Sequence, residues 1–177
     1  MNKKLIAASL GIVFVTGLVT LGLLERAEAQ DAKKDIVAER LAKFDELDFE
    51  GFSKQNWDLF HKTHTDDVVV VWPDGHETKG FEKHIEDMKY MFSYAPDTRI
   101  TSHPVAFGSG EYTAAIGVME GTFSKPMTLP DGKAIQPTGK KFKLKMTTIA
   151  HWKGDKFDTE YLFWDNHAFM QQVGLAQ

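Results

Sequence analysis

From Asp31 to Asp48 the apolar residues Val37, Leu41, Phe44 and Leu47 recur at three- and four-residue spacing, which predicts a helix. Gly51 interrupts the pattern, and Phe52 to His64 reads as a second helix with Trp57, Phe60, His61 and His64 along one side. Asp66-Asp67 leads into Val68-Val69-Val70-Val71-Trp72, a β-branched run that ends at the turn Pro73-Asp74-Gly75. Gly80 precedes a third helix, whose stripe of Phe81, Ile85, Met88 and Phe92 continues until Pro96 stops it.

After Pro96 the period changes to two. Arg99 to Phe107 reads as a strand and Gly108-Ser109-Gly110 as a turn; Tyr112, Ala114, Ile116 and Val118 then alternate with smaller residues. Thr122 to Gly139 is a longer, proline-bearing connection. Phe142, Leu144 and Met146 alternate with Lys141, Lys143 and Lys145, the signature of a half-solvated antiparallel strand. Gly154-Asp155 marks a hairpin, Phe157 to Trp164 returns, and Phe169 to Val173 suggests a short terminal helix. Helices followed by antiparallel strands give the α+β class.

The first 29 residues stand apart from this domain. Lys3 and Lys4 precede an uncharged apolar run, Leu5 to Leu24, and Ala27-Glu28-Ala29 supplies the small residues of a cleavage site. These features predict a signal peptide cut before Gln30, leaving residues 30–177 as one exported domain, periplasmic or secreted. The apolar run is also long enough to remain as an uncleaved membrane anchor.

Composition removes several classes of function. The formal net charge is −4 and no basic run occurs, so no nucleic-acid partner is expected. Without cysteine there is neither a disulfide framework nor a thiolate metal site. Gly108-x-Gly110 lacks the spacing of a dinucleotide fingerprint, and there is no phosphate-binding loop or Gly-x-Ser-x-Gly elbow. His61-x-x-His64 followed by Asp66 invites a metal reading, but spacing fixes no third ligand, so neither a metal nor a cofactor is expected.

From Asp66 to Leu175 the chain resembles the SnoaL-like polyketide (ester) cyclase family of the nuclear-transport-factor-2-like superfamily. The resemblance rests on Asp66-Asp67-Val68, Gly80, Ala95-Pro96-Asp97, Gly121-Thr122, Pro137-Thr138-Gly139-Lys140, Trp164-Asp165 and Gln171-Gln172-Val173-Gly174. It implies a cone: a curved antiparallel sheet wrapped around the N-terminal helices, enclosing a cavity for a small apolar or aromatic carbonyl ligand. It also implies a homodimer formed through the convex sheet face. The superfamily mixes enzymes and binding modules, so the site must carry the argument.

Asp165 ends an aromatic strand, where desolvation would raise its pKa toward that of a general base, and the resemblance gives the acid at this place an acid/base role. The other reading is an N-cap of the terminal helix. His151 stands where the family tends to have His or Arg partnering the acid. A strict two-residue turn at Gly154-Asp155 sets His151 against Asp158 and away from Asp165, whereas a bulge returns them to one face. His84, Trp72, Tyr90 and Trp57 are candidate pocket-lining residues, although large aromatics are core by default. Two functions follow: a cofactor-free cyclase or isomerase acting at a carbon acid, or a non-catalytic small-molecule-binding domain of the cell envelope.

Overall fold

The structure is a computed structural model that describes the backbone of residues 7–177 and, within its first helix, side chains from Leu23 onward. Residues 1–6 of the predicted leader lie outside the described residues, and residues 7–22 are described by their backbone alone. Among those described, no helix is long and apolar enough to cross a membrane.

Helix α1 (Ala7–Glu46) runs into a π-helical segment (Leu47–Phe52) and then α2 (Trp57–Thr63). The π-turn widens the helix, with Ser53 N–H donating to the Asp48 carbonyl five residues back at 3.1 Å. Such segments place side chains that a regular helix would rotate away, and this one turns Leu47, Asp48, Gly51 and Phe52 inward together. Gly51 eases the approach to α2: a Cβ there would sit 3.3 Å from both Leu47 Cδ1 and Phe60 Cε2, closer than side chains ordinarily pack.

Strands β1 (His64–Val71) and β2 (Glu77–Lys79) form a hairpin, followed by α3 (Phe81–Tyr94). Then come β3 (Arg99–Ile100), β4 (Val105–Ser109), β5 (Tyr112–Thr122) and the small hairpin β6 (Met127–Thr128) and β7 (Ala134–Ile135). The long strands β8 (Lys141–Lys153) and β9 (Lys156–Phe163) precede α4 (Asn166–Gln172). The main sheet has the order β2-β1-β9-β8-β5-β3, with β4 also on β5.

Four local expectations change. The sheet is mixed, because β1 pairs with β9 in parallel: the two lie far apart in sequence, and the intervening chain supplies the crossover that parallel pairing requires. His64 belongs to β1, since the Thr63 hydroxyl bonds back to the Leu59 and Phe60 carbonyls as the helix ends. Arg99 to Phe107 splits in two around Pro104, which has no N–H to give a ladder. The connection between β5 and β8 contains the β6–β7 hairpin.

The concave face is the core. Alternate β8 residues from Phe142 to Trp152 point inward, and α1, α2 and α3 fill the cone with Phe44, Leu47, Phe60, Ile85, Met88 and Phe92. Arg40 closes the lower end of the sheet. Its guanidinium lies 5.3 Å from the Trp152 ring centroid and donates to the carbonyls of Gly110 and Gly154, joining two hairpin turns to α1.

Candidate functional site

Packing leaves a cavity of about 330 Å³ between the helices and the concave sheet, at the lower end of the range for small-molecule sites. Most of the wall is apolar and includes four methionines: Met88 and Met91 from α3, Met119 from β5 and Met146 from β8. Trp72 and Trp164 meet edge to face at 6.2 Å on one side. Tyr94 lines another, and burial together with nearby Tyr90 pushes its hydroxyl up to about 12, so it remains a proton donor.

Against this wall stand three acidic groups. Asp87 accepts from the Thr78 hydroxyl at 2.5 Å, and Thr78 in turn accepts from Trp72 Nε1 at 2.8 Å. Glu160 is buried opposite His64 and His84. Burial alone would raise its pKa, but the two histidines hold it below the usual glutamate value. Burial also lowers His84 to about 4, despite the Glu160 charge.

Asp48 is placed inward by the π-turn. Its Oδ2 lies 2.8 Å from His103 Nε2, while His103 Nδ1 lies 2.6 Å from Asp45 Oδ1. Both ring nitrogens face carboxylates, so with both acids ionised each must donate and the ring is an imidazolium. Burial works against that charge, but the hydrogen bonds to Asp48 and Asp45 raise the His103 pKa overall. Asp48 is also raised, chiefly by desolvation and against the pull of His103. Phe44 stacks on the imidazole at 5.5 Å and Phe49 covers it at 4.8 Å, fixing its plane. Asp45 is half exposed, so the Asp48–His103–Asp45 chain connects cavity to solvent.

The residues singled out from sequence fall in different places. His84, Trp72 and Tyr90 line the cavity, while Trp57 stands behind it, packed on Phe60 and Phe92. Asp165 caps α4: its Oδ1 accepts the Ala168 N–H at 2.9 Å, and the residue is exposed. His151 lies on the outer side of β8, with Nδ1 at 2.5 Å from Asp158 and its ring 4.7 Å from that of Tyr112.

The β8–β9 register explains this division. The turn has two residues, with Lys153 opposite Lys156, and a bulge follows: Trp152 faces Phe157 but His151 faces Thr159. Asp158 is the extra residue. The bulge does put His151 on the same side as Thr159, Tyr161 and Phe163, but that side is the convex one. Glu160, Leu162 and Trp164 take the cavity side instead. Asp48, His103, Glu160, Asp87 and Tyr94 are thus site residues that sequence reasoning passed over. The available signal was the Asp48-x-x-Gly51 break in the helix; Phe157-Asp158-Thr159-Glu160 alternates regularly and gives no sign that Glu160 turns inward.

The family model described as SnoaL-like polyketide cyclase matches residues 36–173. No curated protein matches the chain. Among solved structures, one from Jannaschia sp. CCS1, described as a SnoaL-like polyketide cyclase, superposes with a TM-score of 0.70 at 17% identity, covering 80% of this chain and 96% of that one. IdmH from Streptomyces antibioticus, described as a polyketide cyclase, gives 0.65 at 18% identity, covering 76% and 98%. A protein with a ketosteroid isomerase-like fold from Catenulispora acidiphila, in complex with trimethylamine, gives 0.61 at 14% identity, covering 78% and 95%. At these identities the neighbours speak for the fold, and the match over most of the length settles kinship: the chain belongs to the SnoaL-like polyketide cyclase family.

Proposed function

We propose that the protein binds a small, largely apolar carbonyl compound in its cavity and moves a proton at the carbon next to the carbonyl, leading to cyclisation or isomerisation. The observation that carries this reading is Asp48, a buried carboxylate on the cavity wall with a raised pKa and a hydrogen-bonded path to solvent. A general base works best when its proton affinity approaches the working pH, and desolvation moves an aspartate in that direction. A proton taken from carbon by Asp48 can be returned to the ligand at another carbon, while His103, already a donor on both nitrogens and held by the exposed Asp45, steadies the ionised carboxylate between the two steps. The Tyr94 hydroxyl, kept protonated, is a donor for the oxygen on which charge develops.

The test is deuterium exchange at C2 of an aryl β-keto ester, followed by NMR with and without protein. Wild type should accelerate exchange, and Asp48→Asn, nearly isosteric, should lose about 10²-fold or more of that acceleration. Tyr94→Phe should weaken it with the fold intact. Exchange undiminished in Asp48→Asn would overturn the assignment of the base.

A further inference from the structure

The second polar cluster on the cavity wall has a different character from the Asp48 chain. His64 from β1, His84 from α3 and Glu160 from β9 are exposed by only 0%, 2% and 6%. Glu160 Oε2 lies 3.5 Å from His84 Nε2 and 3.9 Å from His64 Nε2, and one donor atom from each residue falls within 4.8 Å of the other two. None of these approaches is a hydrogen bond: His64 Nε2 and both ring nitrogens of His84 are buried without any partner. Buried polar atoms are nearly always paired, so two orphaned Nε2 atoms facing one carboxylate call for a missing species.

The orientation of His64 says what that species is. Its Nδ1 lies 3.0 Å from the Phe60 carbonyl oxygen, which can only accept, and 2.9 Å from the Thr63 hydroxyl. In the neutral ring Nδ1 therefore carries the proton, and Nε2 presents its lone pair toward Glu160. A lone pair and a carboxylate converging on the same buried space repel each other unless a cation lies between them. An imidazole that donates one nitrogen to a backbone carbonyl while aiming the other inward is the orientation metal-bound histidines adopt.

We infer that His64, His84 and Glu160 bind a divalent first-row transition-metal ion, through Nε2 of each histidine and the Glu160 carboxylate. Two imidazoles and one carboxylate form a donor set suited to Zn²⁺ or Fe²⁺. Metal–nitrogen bonds of about 2.0–2.1 Å place neighbouring ligand atoms roughly 3–3.5 Å apart, so the distances from Glu160 need to close by only a few tenths of an ångström. Glu160 and His84 also line the cavity, which leaves the remaining coordination positions open to water or to a ligand oxygen. His61 takes no part: its ring packs edge-on against Phe81 at 5.0 Å. The inference is independent of the acid/base role of Asp48, which is no part of the donor set.

The test is calorimetric titration of the chelator-treated full chain with zinc chloride, together with thermal melting. One zinc per chain should bind, and the melting temperature should rise with zinc concentration. His84→Gln and Glu160→Gln should each weaken binding at least tenfold, while His61→Gln leaves it unchanged. The absence of one-to-one binding by wild type, or binding undiminished in both variants, overturns the site. Should either variant fail to fold, NMR of the wild type loaded with Co²⁺ decides. Hyperfine-shifted signals from two buried imidazoles, including the His64 Nδ1 proton, are expected, and their absence counts against the site. Asp48→Asn should still bind one zinc per chain, so failure of the metal site and failure of the Asp48 reading remain distinguishable.

Discussion

His103 Nε2 meets Asp48 Oδ2 at 2.8 Å across 55 positions of sequence, tying the loop before β4 to the π-turn at the end of α1. The pair carries the pH behaviour expected of the site. The charged groups facing Asp48 are His103, Asp45 and Glu160; burial raises its pKa above the ordinary 3.8, and His103 opposes the rise. The acidic limb of the exchange rate should therefore lie above pH 3.8. His103→Asn removes the opposing contribution, so the limb should move to higher pH. Rate profiles of the two proteins check this, and a limb that stays in place would show that Asp48 is not the titrating base.

Stability should follow the same imidazole with a definite sign. His103 has a folded pKa above its ordinary 6.5, so its contribution is complete below about pH 6.5 and is lost as pH rises through the folded value. Urea denaturation across that window should show wild type losing stability relative to His103→Asn.

Asp165 offers a contrast. Its carboxylate accepts the Ala168 N–H and so satisfies one orphan donor of α4. Asp165→Ala should cost about 0.5–2 kcal/mol, and Asp165→Asn very little, because asparagine caps almost as well. Exchange at the β-keto ester should survive both changes. An Asp165→Asn protein that melts like wild type but has lost exchange would transfer the acid/base role to Asp165.

The convex face supports the expected homodimer. Two cross-strand rows run over it: Phe107, Ala114, Ile149 and Tyr161 in one, and Val105, Ile116, Thr147 and Phe163 in the other. Phe107 is 63% exposed and Phe163 48%. Adjoining apolar rows of this kind mark interaction surfaces. We expect a dimer by light scattering, and a monomer for Phe107→Lys combined with Phe163→Lys. Wild type at monomer mass would remove the proposal.

For the N-terminus, the expected outcome is cleavage before Gln30 and recovery of the domain outside the cytoplasm. N-terminal sequencing of protein from its native source decides: a chain beginning at Met1 and sedimenting with membranes would establish the retained anchor.

Much of the fold was legible because long elements announce themselves by period. The stripe Phe81, Ile85, Met88 and Phe92 gave α3, and the alternation from Lys141 onward gave β8. The site was less legible for two local reasons. Strict alternation from Phe157 places Thr159, Tyr161 and Asp165 on the inner face, yet the bulge at Asp158 reverses every later side chain and brings Glu160 inside. Likewise a regular helical wheel does not anticipate a π-turn, which is what brings Asp48 inward beside Leu47. Bulges and π-turns each insert one residue into a repeating pattern. The pattern before and after remains readable while its phase is lost.

The four methionines on the cavity wall bear on which compounds the protein can tell apart. Unbranched thioether side chains rearrange at low cost, so a wall holding Met88, Met91, Met119 and Met146 conforms to its guest rather than moulding it. Homologous ligands that differ by a methylene should then be distinguished weakly, since even a rigid apolar pocket separates them by only about 1–3 kcal/mol. Discrimination passes to the few fixed polar groups, and above all to where a guest carries its oxygen. A ligand series varied in carbonyl position should show far steeper selectivity than one varied in chain length.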